Sequence, residues 1–228
     1  MTTTYNIAID GPAGAGKSTI AKLTARKLGF VYVDTGAMYR AMALYFLRNG
    51  IGKDDEKAVG EACEAMDISL QYRDGVQQVL LNGEDVSGLI RTEEVSQMTS
   101  AVSVYPAVRQ KLLQLQRELA RTEDVIMDGR DIGTCVLPDA ETKIYLTASP
   151  RVRALRRFKE LEERGETCNL EEIEQDIRER DDRDMNREIA PLKQAEDAVC
   201  IDSSQMTIDQ VVQAITEAAM ARGLGNGR

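Results

Sequence analysis

Five short runs of apolar residues punctuate the chain, at residues 5–10, 30–34, 125–128, 143–146 and 198–202. Runs with a continuous apolar centre, rather than alternation with polar residues, predict strands buried on both faces. Between them the apolar positions recur at spacings of three and four. This predicts helices over residues 17–28, 36–48, 106–121, 150–164, 171–188 and 208–221, with Gly29, Gly50 and Gly165 as stops. Strands alternating with helices predict an α/β fold, a five-stranded parallel sheet flanked by helices.

Residues 52–100 break that rhythm. Ile68, Leu70 and Tyr72 alternate with polar neighbours, Asp74-Gly75 follows, residues 76–81 run back, and Asn82-Gly83 comes next. Asp-Gly and Asn-Gly between β-rich segments are hairpin signals, because both turn residues must take positive φ. The stretch is therefore expected to be a small antiparallel β module inserted at 52–100, with an edge extension of the main sheet as the other arrangement. The core domain is expected at 1–51 and 101–222, with a lid near 149–165 and a disordered tail at 223–228.

Composition narrows the chemistry. The chain holds no histidine, which removes Ser-His-Asp and Cys-His nucleophiles and the usual His-ligated zinc sites. Its 228 residues carry a net charge of −9, which argues against nucleic acid as a partner. Arg outnumbers Lys 20 to 9, and half of the Arg lie within residues 130–187. Guanidinium binds phosphate bidentately, so the bias suits anionic small molecules. Cys63, Cys135, Cys168 and Cys200 lack paired spacing and read as reduced thiols. No run is long and apolar enough for a membrane span and no leader pattern opens the chain, so a cytoplasmic monomer is expected.

Residues 11–18, Gly11, Pro12, Ala13, Gly14, Ala15, Gly16, Lys17 and Ser18, match the Gly-x-x-x-x-Gly-Lys-Ser/Thr loop in full, between a predicted strand and a predicted helix. Such a loop aims backbone amides and a helix N-terminus at a polyphosphate. Lys17 is placed to reach its β- and γ-phosphates, and the Ser18 hydroxyl to ligate Mg²⁺. GTPases, motor ATPases and recombinases share this loop, so the second substrate must be read elsewhere. Along the predicted helix 171–188, Ile173, Ile177, Arg180, Asp184 and Arg187 share one face, which turns from core-like to ionic as if it ended against a bound anion. Arg130 follows a predicted strand, Arg40 lies one turn beyond Thr35-Gly36, and Arg151, Arg153, Arg156 and Arg157 crowd the start of the expected lid.

Five motifs in order, Asp10-Gly-Pro-Ala-Gly-Ala-Gly-Lys-Ser-Thr, Asp34-Thr-Gly-Ala-Met-Tyr-Arg, Gly83-Glu-Asp-Val-Ser-Gly-Leu-Ile-Arg91, Asp128-Gly-Arg-Asp-Ile-Gly133 and Arg180-Asp-Asp-Arg-Asp-Met-Asn-Arg187, resemble the bacterial cytidylate kinases. The resemblance implies Mg²⁺-dependent transfer of the ATP γ-phosphoryl group to CMP or dCMP. It places residues 11–18, Thr19 and Arg157 at ATP, with Lys17, Arg130, Arg180 and Arg187 as the catalytic set. Thr35, Tyr39 and Arg40 would line the monophosphate site, with Arg130 and Arg187 on the acceptor phosphate. Arg180 and Asp184 would reach the sugar, and Ser100, Arg109 and Asp131 the base. Thr35 stands where relatives often carry Ser, and keeps the hydroxyl. Asp34 and Asp128 are both open as water-mediated Mg²⁺ ligands. A P-loop kinase for another small acceptor, such as UMP, dTMP or a shikimate-like acid, and a nucleotide sensor without turnover are the alternatives.

Overall fold

Alternation along the strands decides which helices cover which side of the sheet. The computed structural model describes residues 4–225. It opens with β1 (Asn6–Asp10), α1 (Lys17–Leu28), β2 (Val31–Asp34) and α2 (Thr35–Arg48). The inserted stretch follows as α3 (Glu56–Ala65), β3 (Ile68–Arg73), β4 (Val76–Leu81), β5 (Glu84–Asp85) and α4 (Glu93–Val102). Then come α5 (Pro106–Thr122), β6 (Val125–Gly129), β7 (Thr142–Thr147), α6 (Pro150–Glu163), α7 (Leu170–Asn186), β8 (Val199–Asp202) and α8 (Ile208–Ala221).

The main sheet has five strands in the order β2-β6-β1-β7-β8, all parallel. Successive side chains point to opposite faces. Ile7, Ile9, Ile126 and Ile144 meet Ile20 of α1 and Val211 and Ile215 of α8 on one side. Ala8, Val33, Val125 and Met127 meet Met38, Met42 and Phe46 of α2 and Leu112 of α5 on the other. Both faces are covered over β1, β2, β6 and β7, which is why these read as hydrophobic runs; β8, at the sheet edge, buries only Ile201 and is not the doubly buried strand its apolar run predicts.

The inserted strands form a separate antiparallel sheet, β3-β4-β5, and not an extension of the main one. Its two turns are built as expected, with positive φ at Asp74 and Gly75 and at Asn82 and Gly83. α3 and α4 were not expected. Each is short, and its start is fixed by a side chain: Asp55 accepts the Ala58 amide at 3.0 Å and Thr92 the Val95 amide at 3.3 Å. α4 runs through residue 100, across the expected boundary. The junction with the main sheet is made by side chains: Gln77 Oε1 accepts the Asp34 amide at 2.8 Å, its Nε2 donates to the Asp34 carbonyl at 3.3 Å, and the Tyr72 hydroxyl donates to the Tyr32 carbonyl at 3.0 Å.

α6 and α7 pack as a pair. Ile173 and Ile177 are only half-buried there, so the α7 face begins as a helix–helix contact and not as core. The helix stops at Asn186, and Arg187 is extended, with φ −65° and ψ 141°. Arg153 is 3% exposed: it holds Asp181 bidentately at 3.0 and 2.5 Å and donates to the Ala148 and Ala13 carbonyls at 2.8 and 2.9 Å. One buried guanidinium thus ties α6 to α7 and to the loop before α1. Residues 223–225 close α8, with the Gly223 and Leu224 amides on the Met220 and Ala219 carbonyls; the rest of the expected tail, 226–228, lies outside the described residues. Among the described residues no helix is long and apolar enough to cross a membrane.

Removing one partner of a buried ion pair strands the other's charge. Asp181→Ala is expected to cost about 3–5 kcal/mol in urea unfolding, whereas a loss below about 1 kcal/mol, the level of an exposed pair, would show that Arg153 does not depend on it.

Candidate active site

Open parallel sheets bind ligands beyond the carboxyl ends of their strands. Here the ends of β1, β2 and β6 open into a cleft of about 480 Å³. On one side lies the loop of residues 11–16. Gly11 has φ +149°, and a Cβ there would sit 1.9 Å from the Leu146 carbonyl oxygen, so only glycine lets the loop leave β1 against β7. Gly14 and Gly16 also have positive φ, and Gly16 caps α1 without a side-chain hydrogen bond, leaving the first turn open to an anion. Lys17 folds back to donate to the Pro12 carbonyl at 2.8 Å. Burial, and then the neighbouring Arg130, lowers its pKa well below the lysine range, against the pull of Asp128, Asp10 and Asp184.

The floor is a carboxylate held from two sides. Asp128 accepts the Ser18 hydroxyl at 3.0 Å and the Tyr32 hydroxyl at 2.8 Å. Burial, and then Asp34, pushes its carboxyl up. Asp34 is differently occupied: it accepts the Ala37 amide at 2.8 Å to cap α2 and pairs with Arg40 at 3.4 Å and Arg91 at 3.3 Å. Of the two carboxylates left open by the sequence, only Asp128 stands beside Ser18.

The opposite wall is built from guanidiniums. Arg130 Nε donates to Asp184 at 2.8 Å, and Arg187 lies 3.6 Å from Asp131, which also accepts a short hydrogen bond from Arg109. Burial alone would raise Asp184, but Arg130, Arg180 and Arg187 hold it below the usual carboxylate range. Burial lowers Arg40, Arg180 and Arg187 in turn. The Nε atoms of Arg40 and Arg180 are buried without a hydrogen-bond partner. Two unpaired guanidinium N–H groups at one cleft mark a place for an anion.

The cleft gathers Ala13, Gly14, Gly16, Lys17, Ser18 and Thr19 of the expected donor set, and Thr35, Tyr39, Arg40, Ser100, Arg109, Arg130, Asp131, Arg180, Asp184 and Arg187 of the acceptor set. Gly11, Pro12 and Ala15 form the buried underside of the loop. The Thr35 hydroxyl donates to the Asp128 carbonyl at 2.6 Å, so it braces the wall. Of the four arginines at the start of the expected lid, only Arg157 lines the cleft, paired with Glu160 at 3.3 Å. Arg151 pairs with Glu171 and Glu174 on the surface, Arg153 is locked as described, and Arg156 reaches the Ser203 carbonyl at 2.9 Å. Several lining residues were missed, among them Arg91 and Gln116. Arg91 ends the insert's motif just before the α4 cap, a position that could have flagged it. Gln116 interrupts the buried stripe Val108, Leu112, Gln116 and Ala120, and its Nε2 is buried without a partner.

An anion-binding loop facing an arginine-lined recess across one cleft defines a P-loop kinase. The fold agrees: a gluconokinase from Sinorhizobium meliloti 1021 superposes with a TM-score of 0.50 over 97% of this chain and 94% of that one, at 13% identity. The family model described as Cytidylate kinase matches residues 7–221. A Cytidylate kinase of Lactobacillus johnsonii is 52% identical over 211 residues, 92% of each chain. Another, of Caldicellulosiruptor bescii, is 52% identical over 93% of this chain and 94% of its own. The chain belongs to the cytidylate kinase family.

NMR titration of isotopically labelled lysine is expected to find Lys17 with a midpoint about 7. Added tripolyphosphate is expected to move it upward, because a nearby anion favours the charged form. A midpoint in the ordinary range near about 10.4 would remove the burial account.

Proposed function

We propose that the chain transfers the γ-phosphoryl group of ATP to CMP or dCMP, giving ADP and CDP or dCDP. The observation that carries this reading is the pair of anion sites in one cleft, Lys17 and its loop on one side and Arg40, Arg130, Arg180 and Arg187 on the other. Phosphoryl transfer needs both substrates positioned in line and the charge on the moving group neutralised. An acceptor phosphate oxygen forms the new bond to the γ-phosphorus as the bond to the β–γ bridging oxygen breaks and ADP leaves.

The residues perform separate tasks. The loop amides and Lys17 hold the donor phosphates, and Arg130 and Arg187 hold the acceptor phosphate. Arg180 reaches with Asp184 toward the sugar. The unpaired Nε groups of Arg40 and Arg180 find acceptors when an anion arrives. Arg157 lies on the segment near 149–165 that closes over ATP, and the module 52–100 carries Ser100 toward the acceptor. Thr35 and Tyr39 shape the wall between them. Excluding water there protects the γ-phosphoryl group from hydrolysis. The setting this reading implies is a cytoplasmic monomer acting on small molecules.

Mg²⁺ fits the donor set. This ion keeps several waters and takes one or two protein oxygens beside substrate phosphates. Ser18 would ligate it directly and Asp128, 3.0 Å from the Ser18 hydroxyl, through water. When bound, it neutralises charge on the β- and γ-phosphates.

Cytosine presents an N4 amino donor beside the N3 and O2 acceptors. The Asp131 carboxylate accepts from such an edge, and Arg109 and Ser100 donate to it; uracil reverses the pattern and sets like groups against each other. In an assay of nucleoside monophosphates with Mg-ATP, CMP and dCMP are expected to exceed UMP by about tenfold or more in kcat/KM; equal turnover of UMP would sink the base assignment. Asp131→Ala is expected to erode that preference by about 1–3 kcal/mol with ATP affinity retained. Arg187→Ala is expected to lower kcat about 10²–10³-fold, and unchanged kinetics would remove it from the acceptor site. ATP binding by calorimetry without transfer to any nucleoside monophosphate would favour a sensor.

A further inference from the structure

The turn that follows Asp131 is gripped at both ends by side chains that the reading above leaves unused. Ile132–Val136 form a single turn of π helix, with the Leu137 amide on the Ile132 carbonyl at 2.7 Å and the Val136 amide on the Asp131 carbonyl at 3.2 Å. Isolated π turns are rare and concentrate at functional sites. The first amides of any helix have no internal acceptor. Here the Ile132 and Gly133 amides each donate to a different oxygen of the Asp10 carboxylate, both at 2.7 Å.

That approach is built in. Asp10 is buried, and a Cβ on Gly133 would lie only 3.3 Å from Asp10 Oδ2. At the other end, the Cys135 and Val136 carbonyls accept from Arg117 Nη2 at 2.9 Å and Nε at 3.0 Å. A carboxylate at the amide end and a guanidinium at the carbonyl end both match the turn's dipole. Asp131 stands directly before this turn, and Asp10 directly before Gly11.

We infer that Asp10 and Arg117 are positioning residues that clamp the 132–136 turn, aim the Asp131 carboxylate at the acceptor base, and lock the donor loop and the acceptor loop to one another. The inference rests on the base-reading role of Asp131. Asp10 serves both substrates by geometry alone: its backbone starts the donor loop while its side chain holds the acceptor loop.

Asp10→Asn keeps the shape but offers one acceptor oxygen to two amides, leaving one buried donor unpaired. In that variant KM for CMP is expected to rise about tenfold or more and the CMP-to-UMP ratio to fall about as much, with KM for ATP within about twofold. Deuterium exchange at the 132 and 133 amides is expected to quicken. Arg117→Gln, at the opposite end of the turn, is expected to shift the ratio in the same direction and carries the test if Asp10→Asn does not fold. In an Asp131→Ala background neither substitution is expected to change the ratio further, because both act through that carboxylate. A wild-type protein without CMP preference would defeat the Asp131 reading itself. Intact wild-type preference that survives both substitutions, or a ratio that still falls when Asp131 is already Ala, would overturn the clamp.

Discussion

Everything at the cleft depends on keeping guanidiniums and carboxylates together away from water. A buried charge is tolerated only when paired and hydrogen-bonded. The sheet meets that demand by ending its strands in aspartates: Asp10 closes β1, Asp34 closes β2, Asp128 sits near the end of β6, and Asp131 follows it. Each takes different partners, respectively a pair of amides, two arginines, two hydroxyls, and Arg109 with Arg187. The pairing is incomplete at Arg40 and Arg180, whose Nε groups are buried without an acceptor. A protein of net charge −9 thus gathers guanidiniums in one recess.

The parallel sheet was legible because burial on both faces leaves a simple trace, three or four apolar residues in a row. The starts of α1, α5, α6 and α8 were equally plain, each marked by the loop lysine, a proline or a Thr cap. α3 and α4 were hidden for a physical reason. Each is ten residues long and shows only three buried positions, and most of its stability comes from packing against neighbours outside its own sequence. The hairpin turns stood out because Asp74-Gly75 and Asn82-Gly83 carry conformational demands that few residues meet.

The cleft was legible in its inventory more than in its wiring. The loop, Arg40, Arg130, Arg180 and Arg187 could be named from spacing and strand ends. Nothing local distinguished Arg153 from Arg157, four residues apart on one helix, yet one is locked in the interior and the other reaches the cleft. Asp181 stands in an unbroken run of charged residues, 178–184, and nothing in that run marks it as the buried partner of Arg153. Gln116 was invisible for a related reason, since no pattern in α5 tells that its buried amide Nε2 lacks a partner at the cleft. Pairings between residues distant in sequence decide such cases.

The inserted sheet shares no backbone ladder with the main one. Its junction is a glutamine amide and a tyrosine hydroxyl laid on the backbone of β2, with apolar packing around them. A joint of that kind reads main-chain groups, which every sequence supplies, and apolar packing accepts substitution when volume is kept. In modular terms the insert is a cartridge: its strands can change sequence without disturbing the register of the strands of the main sheet.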